Sequence, residues 1–408
     1  MAESKSADKP LSVDKSAFIE ALEKCGVSHV MMLRPHGFGK SHLVDMIFSY
    51  YDKSSASAFN EKYAGTFIRM HPTPLKNSFR VMRFVFTDLS GLPEDRFDDA
   101  FRTVISSEIL DFLRRNPDID SAVTEDDVRS DPVFAFVNLC LNFSQQCPGE
   151  KIYLLIEDYD NFAYDVLFDN RMDLVDNPLV TDFYDSIKSV LNVSVGRTFV
   201  TGVFPISFGT LFGENGTNVV RNLAPFRAFA GITGFTRDEL SDLLLKSTSR
   251  SKGKKSVDDM ILELNSKAGG YVFSPYGTDG LYNPRDVEHY LKGGKGDDDK
   301  MQKRLNTILD LARAVDHRDV ISRIVGGELL KLTNVTPFLK LSLVSSYQSS
   351  DVLSLLFYLG YLSMAPDSIK KTGAVALVCP NDHIRGLFRR YFEDKKLDAD
   401  PEDTDGGF

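Results

Sequence analysis

The feature that most constrains the fold is a glycine-containing segment, Arg34 to Ser41, which lies between an apolar stretch and a helical pattern. The apolar stretch, Val27 to Leu33, is rich in strand-forming residues, and beyond the segment apolar residues recur at helical spacing. A strand, a glycine-containing loop, a Lys-Ser pair and a helix together form the arrangement of a phosphate-binding loop. In such a loop, free backbone N–H groups and the helix dipole attract an anion.

We therefore predict that residues 34–41 bind the phosphates of a nucleotide. A strict phosphate-loop pattern has glycine where this chain has Arg34, so the alternative is an ordinary glycine-rich turn with a surface lysine. The flanking strand and helix favour the phosphate site, although a packing cation is a second interpretation of Arg34. Gly37 and Gly39 would let the backbone approach the phosphates, Lys40 would reach the β/γ oxygens and Ser41 would ligate Mg²⁺. The candidate cofactor-binding residues are Arg34, Pro35, His36, Gly37, Phe38, Gly39, Lys40 and Ser41.

A second acidic segment follows the apolar run from Ile152 to Ile156, which predicts a central parallel strand buried on both faces. Glu157 and Asp158 come at its carboxyl end, where α/β sheets bind their ligands. We predict that Glu157 helps to hold Mg²⁺ and that Asp158 orients the attacking water. A solvated acidic turn is the weaker alternative. Thr201, at the end of the next strand, is a candidate sensor of the γ-phosphate, although a threonine that ends a strand is more often structural.

Strands and helices alternate through the first half of the chain and predict an α/β fold, a P-loop NTPase with a doubly wound parallel sheet. Residues 226–235 are the predicted fifth strand. Thr236 and Glu239 form a capping-box pattern that opens a mainly helical second half. The pattern also predicts a hairpin around Lys371-Thr372-Gly373, and helices followed by a hairpin are compatible with a winged-helix-like C-terminal region. The expected domains are 1–235 (ATPase-like), 236–300 (helical and lid-like) and 301–408 (helical or winged-helix-like).

Charge and composition limit the classes of partner. A formal net charge of −10 argues against nucleic-acid binding through a broadly basic surface, although a local basic patch stays open. The four cysteines are scattered and form no CxxC pair, which argues against a zinc site. The polar N-terminus lacks a secretory signal, and no apolar stretch approaches the ~20 residues of a membrane span. We expect a cytoplasmic protein that is not bound to a membrane.

Taken in order, these motifs resemble the AAA-ATPase-like family, which is often fused to a PD-(D/E)XK nuclease and has relatives among Crinkler-type effectors. Residues 34–41 are similar to the family's RPRRFGKS, and residues 155–160 to its LIDEYD. The resemblance implies that an arginine at the first-glycine position is a family trait and that ATP and Mg²⁺ are the cofactors. Further similarities lie at Thr201-Gly202, residues 231–240, 270–273, 282–284, 355–362 and 380–385.

The chain departs from the family pattern at three places. Glu157 and Asp158 stand where the family has Asp and then Glu, and a ~1 Å misplacement of a catalytic group can cost about a hundredfold in rate. His36 replaces an arginine and so removes a permanent positive charge. At the C-terminus, Glu393-Asp394-Lys395 imitates part of the nuclease pattern, but helical spacing runs into it from Ile384. We interpret it as a helix end and expect no complete nuclease.

Three functions follow from these observations. The leading hypothesis is a slow Mg²⁺-dependent ATPase that couples its nucleotide state to movement of its C-terminal region. Arg285 has two interpretations: it reaches the nucleotide from the second domain, or it forms a surface salt bridge. The alternatives are a catalytically weak nucleotide-binding switch or interaction module, and the ATPase component of a nucleic-acid-processing system. GTP in place of ATP, a protein partner and a homo-oligomer all stay open.

Overall fold

The computed structural model describes residues 12–120, 122–206, 211, 219–248, 255–294, 298–311 and 317–395. Its centre is a five-stranded, entirely parallel sheet with the strand order β2-β3-β4-β1-β5. The α/β class and the parallel sheet predicted from the sequence are thus confirmed. The strands are β1 (His29–Leu33), β2 (Arg80–Val85), β3 (Ile152–Glu157), β4 (Val195–Gly202) and β5 (Arg221–Asn222).

Helices surround this sheet and continue into the second half of the chain. They are α1 (Ala17–Lys24), α2 (Lys40–Tyr51), α3 (Phe59–Lys62), α4 (Phe67–Met70), α5 (Glu94–Arg115), α6 (Glu125–Ser130), α7 (Pro132–Gln146), α8 (Ala163–Asp169), α9 (Pro178–Val190), α10 (Arg237–Thr248), α11 (Val257–Lys267), α12 (Pro284–Leu291), α13 (Asp298–Leu311), α14 (His317–Val325), α15 (Ser349–Leu359), α16 (Ser368–Thr372) and α17 (Asp382–Asp394). Among the described residues, no helix combines the length and the apolar character needed to cross a membrane.

The position of β3 in the sheet explains its composition. Every residue from Ile152 to Glu157 is buried, since β2 and β4 flank the strand and helices cover the sheet. Helix α2 packs against β2, β3 and β4, while α5 packs against β2 and contacts α7, which contacts α9. Because β4 lies between β1 and β3, the ends of these three strands meet at one edge of the sheet.

The predicted fifth strand over residues 226–235 is wrong. The fifth strand is the two-residue β5, which pairs with Val30 and Met31 of β1. Residues 226–235 contain a 3-10 turn, Arg227–Phe229, in which Phe229 N–H donates to Phe226 O and Ala230 N–H to Arg227 O. These local bonds take the donors that a strand would direct to a neighbour. Phe229, Ile232 and Phe235 are buried by packing of this turned segment, and apolar composition alone does not distinguish such a segment from a strand.

The C-terminal region carries a second, antiparallel sheet with the order β6-β8-β7, formed by β6 (Leu330–Leu332), β7 (Ser363–Met364) and β8 (Val375–Val378). The antiparallel pair β7–β8 encloses Lys371-Thr372-Gly373, where a hairpin was predicted, and the short helix α16, which ends at Gly373 in the left-handed region, connects the two strands. The predicted capping box is confirmed by bonds between Thr236 and Glu239 in both directions. The helix through Glu393 is also confirmed. A winged-helix domain and the domain boundaries stay predictions.

A strip of residues from Gly269 to Phe273 connects the two halves. Asn381 Nδ2 donates to Gly269 O at 2.9 Å, and Met364 N–H donates to Val272 O at 3.0 Å. The backbone comes so close at Gly270 that a Cβ there would lie 1.9 Å from Pro380 O. Only glycine fits this contact, because Gly270 also has a φ of +85°.

We expect Gly270→Ala to lower the thermal midpoint of unfolding by several degrees more than Gly373→Ala does. Both glycines have positive φ, but no described heavy atom lies within 4 Å of a Cβ at Gly373. The Gly373→Ala variant therefore measures only the backbone strain of a side chain at positive φ, about 1 kcal/mol of unfolding free energy. The difference measures the clash with Pro380, about 1 to 3 kcal/mol. Equal midpoints in differential scanning calorimetry would show that the strip does not pack as described.

Candidate functional site

The loop between β1 and α2 presents a series of backbone N–H groups. From His36 to His42, none of these groups donates to an acceptor among the described residues. Gly37 and Gly39 both have a φ of +83°, and Gly39, as the N-cap of α2, supplies no capping side chain. Unpaired N–H groups at the positive end of a helix form a site suited to an anion such as a phosphate.

Lys40 closes one side of this loop. Its Nζ donates to Arg34 O at 3.1 Å and lies 3.4 Å from Pro35 O, and the side chain is 7% exposed. Burial lowers the pKa of Lys40, while the nearby carboxylates of Asp158, Asp160 and Glu157 raise it. The ammonium is therefore close enough to the carboxylates that follow β3 for their negative charges to act on it.

Ser41 and Glu157 meet across the gap between α2 and β3. Glu157 is 2% exposed, and the Ser41 side chain lies close enough to its carboxylate to lower the pKa of Glu157. Burial raises the pKa of Glu157, and its ion pair with Arg83 lowers it. A hydroxyl and a carboxylate are oxygen ligands suited to Mg²⁺ that also binds phosphate. No group of three or more His, Cys, Asp or Glu side chains able to hold a metal occurs in the described part of the chain, so phosphate oxygens and water would complete the coordination.

Asp158 and Thr201 lie beside this pair. Asp158 has a φ of +49°, an uncommon conformation for a non-glycine residue, and its Oδ2 accepts a bond from Thr87 Oγ1 at 2.9 Å. Thr201 ends β4 next to Met32 of β1, and its buried Oγ1 has no hydrogen-bond partner among the described residues. The structure thus brings Lys40, Ser41, Glu157, Asp158 and Thr201 together at one edge of the sheet.

Arg34 has a different environment. Its guanidinium is 1% exposed, donates to the carbonyls of Leu33, Ala224 and Phe229, and lies 4.3 Å from the Phe273 ring centroid. Burial lowers the pKa of Arg34 to about 9. Of the two interpretations left open by the sequence, the packing cation describes this side chain. Only the Arg34 carbonyl, which accepts from Lys40, belongs to the loop.

The other loop residues contact the second half of the chain. Asn283 Nδ2 donates to His36 O at 3.1 Å, and Arg285 N–H donates to Gly37 O at 3.3 Å. A Cβ at Gly37 would lie 2.6 Å from Asn283 Oδ1, so glycine is required here. Phe38 is fully buried and packs edge-on against Tyr271 and Phe273, with 5.0 Å between the ring centroids in each pair. Pro35 packs against Gly360, where an added Cβ would lie 3.0 Å from the Pro35 Cβ.

A basic cavity of about 130 Å³ lies next to the loop, and its lining includes His36, Arg285, Lys300 and Arg304. His36 is an exposed residue, yet desolvation of its ring by the surrounding protein and the cations Lys40 and Arg304 lower its pKa to about 3. The imidazole is therefore neutral near pH 7 and adds no charge to the site, in contrast to the arginine of the family pattern.

Sequence reasoning missed three residues of this site. Arg83 pairs with Glu157, Asn283 holds the loop, and Asp160 accepts Val203 N–H at 2.8 Å and Phe204 N–H at 2.5 Å and so fixes the chain after Thr201. Asp160 was visible as the last residue of the acidic segment. Asn283 was visible only as part of the family similarity at residues 282–284, and Arg83 gave no signal, because its contacts join residues far apart in sequence.

A family model described as a predicted AAA-ATPase matches residues 6–212 of this chain. The match includes β1, the loop, both carboxylates that end β3, and Thr201. No curated protein matches the chain.

We expect Asp160→Asn to change the pH dependence of stability. Burial raises the pKa of Asp160 to about 7, so the folded state holds a proton that the unfolded state releases above its ordinary pKa of 3.8. The bound proton stabilises the folded state near pH 4, and this stabilisation is lost as the pH rises through 7. The contribution to the free energy of unfolding falls by about 2 kcal/mol between pH 5 and pH 7. Urea unfolding should therefore show the variant gaining stability relative to wild type over that interval.

The control is Asp127→Asn at an exposed position, where a hydrogen bond from Thr124 lowers the carboxyl pKa, so any effect has the opposite sign. Parallel curves for wild type and Asp160→Asn would contradict the assignment.

Proposed function

Because the chain belongs to the AAA-ATPase-like family, we propose that it binds ATP with Mg²⁺ at the loop between β1 and α2 and hydrolyses it slowly. The observation that carries this proposal is the series of N–H groups from His36 to His42, which includes that of the buried Lys40 and finds no acceptor in the described part of the chain. Opposite it lie a hydroxyl, two carboxylates and an unpartnered threonine, the groups that phosphoryl transfer requires.

Each residue has one role in this proposal. The loop N–H groups and Lys40 bind the β- and γ-phosphates and offset their negative charge. Ser41 and Glu157 would hold Mg²⁺, which when bound neutralises charge on the phosphate oxygens. Asp158 accepts a hydrogen bond from the attacking water and orients it. Thr201 Oγ1, unpartnered among the described residues, donates to the γ-phosphate.

Slow turnover is proposed because of Asp158. Its side chain is one methylene shorter than the glutamate of the family pattern, and Thr87 already donates to it. A shortfall of about 1 Å in reach can reduce the rate about a hundredfold without affecting phosphate binding. The same observation motivates the alternative of a nucleotide-binding switch without turnover.

Coupling to the C-terminal region is proposed from the contacts of the loop. Asn283 and Arg285 bond the carbonyls of His36 and Gly37, and Phe38 packs against the strip that Asn381 and Met364 hold. A change in loop shape on nucleotide binding would therefore move the groups packed on it. A pre-existing second arrangement is required for such a response.

The nucleic-acid alternative rests on weaker ground. In a winged-helix interpretation, α15 is the helix that precedes the β7–β8 connection, but its residues from Val352 to Tyr358 are all buried. Salt-dependent DNA binding by the whole chain would support this alternative, and no binding at low salt would exclude it.

We expect Lys40→Ala to weaken ATP binding about 30- to 150-fold, because charge-assisted hydrogen bonds to phosphate contribute about 2 to 3 kcal/mol. Isothermal titration with ATP and with GTP, each with Mg²⁺, measures the loss and identifies the base. Lys292→Ala, at a 65% exposed side chain, is the matched control and should bind like wild type. Equal affinities for all three proteins would remove the nucleotide assignment.

We expect Asp158→Asn to keep ATP affinity within about threefold and to lower steady-state phosphate release by at least about a hundredfold. Asp279→Asn, at an exposed position, is the control. Wild-type turnover that is lost in Lys40→Ala supports the ATPase. Tight ATP binding by wild type without Lys40-dependent turnover supports the switch instead.

A further inference from the structure

Arg83 connects three elements of the site. It lies on β2 opposite Leu155 of β3, and its Nε and Nη2 both contact the same oxygen of Glu157, Oε1. Its Nη1 lies 2.7 Å from Asp45 Oδ1, on the helix turn that follows Ser41. Its backbone N–H donates to Glu108 Oε1 at 2.8 Å. The guanidinium is thus held at both ends and has little freedom to move.

This arrangement has a consequence for Glu157. The contacts with Arg83 all fall on Oε1, and the Ser41 side chain lies near the same carboxylate. A glutamate has one more rotatable bond than the aspartate of the family pattern, and ordering such a side chain costs up to about 1.5 to 2 kcal/mol. The contacts from Arg83 restrict the Glu157 side chain to one conformation, although glutamate has more conformational freedom than aspartate.

We propose that Arg83 is a positioning residue: it fixes Oε1 of Glu157 so that the carboxylate is directed, with Ser41, at the Mg²⁺ of a bound nucleotide. The proposal rests on the proposed function and names the residue that adapts this site to a glutamate. Arg83 is positively charged and by itself would repel the metal, but Asp45 offsets that charge. Positioning therefore outweighs repulsion at this site.

The test measures Mg²⁺ without relying on turnover. A fluorescent ATP analogue is titrated with the full chain at fixed Mg²⁺ concentrations and in EDTA, and Mn²⁺ electron paramagnetic resonance reports metal bound to the complex. We expect Arg83→Met to raise the half-saturating Mg²⁺ concentration about 10-fold, as loss of an outer-shell partner typically does, and to leave analogue affinity in EDTA unchanged.

The control is Arg80→Met on the same strand, which loses ion pairs with Asp118 and Glu150 but contacts no residue of the loop or the carboxylate pair. It should lower stability without changing the Mg²⁺ requirement. Rescue supplies the second readout: in a Glu157→Asp background, the shorter carboxylate should make the Mg²⁺ requirement independent of Arg83. A merely structural Arg83 would show the same loss in both backgrounds.

Each outcome decides the question. An unchanged or lower Mg²⁺ requirement in Arg83→Met would overturn the proposal, the lower value showing that Arg83 competes with the metal. If Arg83→Met does not fold, Asp45→Asn removes only the outer anchor of the guanidinium, and it should raise the requirement about threefold; no change there would also overturn the proposal. Wild type that binds no analogue in EDTA or in Mg²⁺ would instead refute the proposed function.

Discussion

The site depends on the backbone N–H groups from His36 to His42, for which the described residues provide no acceptor. Buried or helix-terminal donors without partners are costly, and most proteins cap them with a side chain. Here Gly39 provides no cap, and Lys40 donates to carbonyls of the same loop, which keeps the loop in one shape. A bound anion would supply acceptors to these donors, which is the use that the proposed function gives them.

The sheet order places the catalytic candidates. With β4 between β1 and β3, the residue that ends β4 lies between the loop and the carboxylates, which is where Thr201 is found. The Tyr159 N–H donates to Thr201 O, and Asp160 fixes the residues after Gly202. The geometry of the site is therefore set mainly by the main chain, and the side chains only complete it.

Much of this could be predicted from the sequence, because the strongest signals are local. The apolar run before Glu157 identified a buried strand, and the glycines before Lys40 identified the loop. Residues 226–235 were assigned incorrectly because a buried turn and a strand share the same apolar composition. Arg34 could not be placed from pattern alone, since its partners Ala224 and Phe229 are distant in the chain. Arg83 was missed for the same reason, as parallel pairing of β2 with β3 sets its contact.

The ring of Phe38 has a thermodynamic consequence. It packs edge-on against Tyr271 and Phe273, and these two aromatic contacts connect the loop before α2 to a strip that is hydrogen-bonded to the C-terminal region. If a binding partner displaced that strip, the affinity of the loop for phosphate would change by some factor. Because thermodynamic coupling is reciprocal, a bound nucleotide would then change the affinity for the partner by the same factor. A tenfold effect needs only about 1.4 kcal/mol, close to the worth of a single aromatic pair.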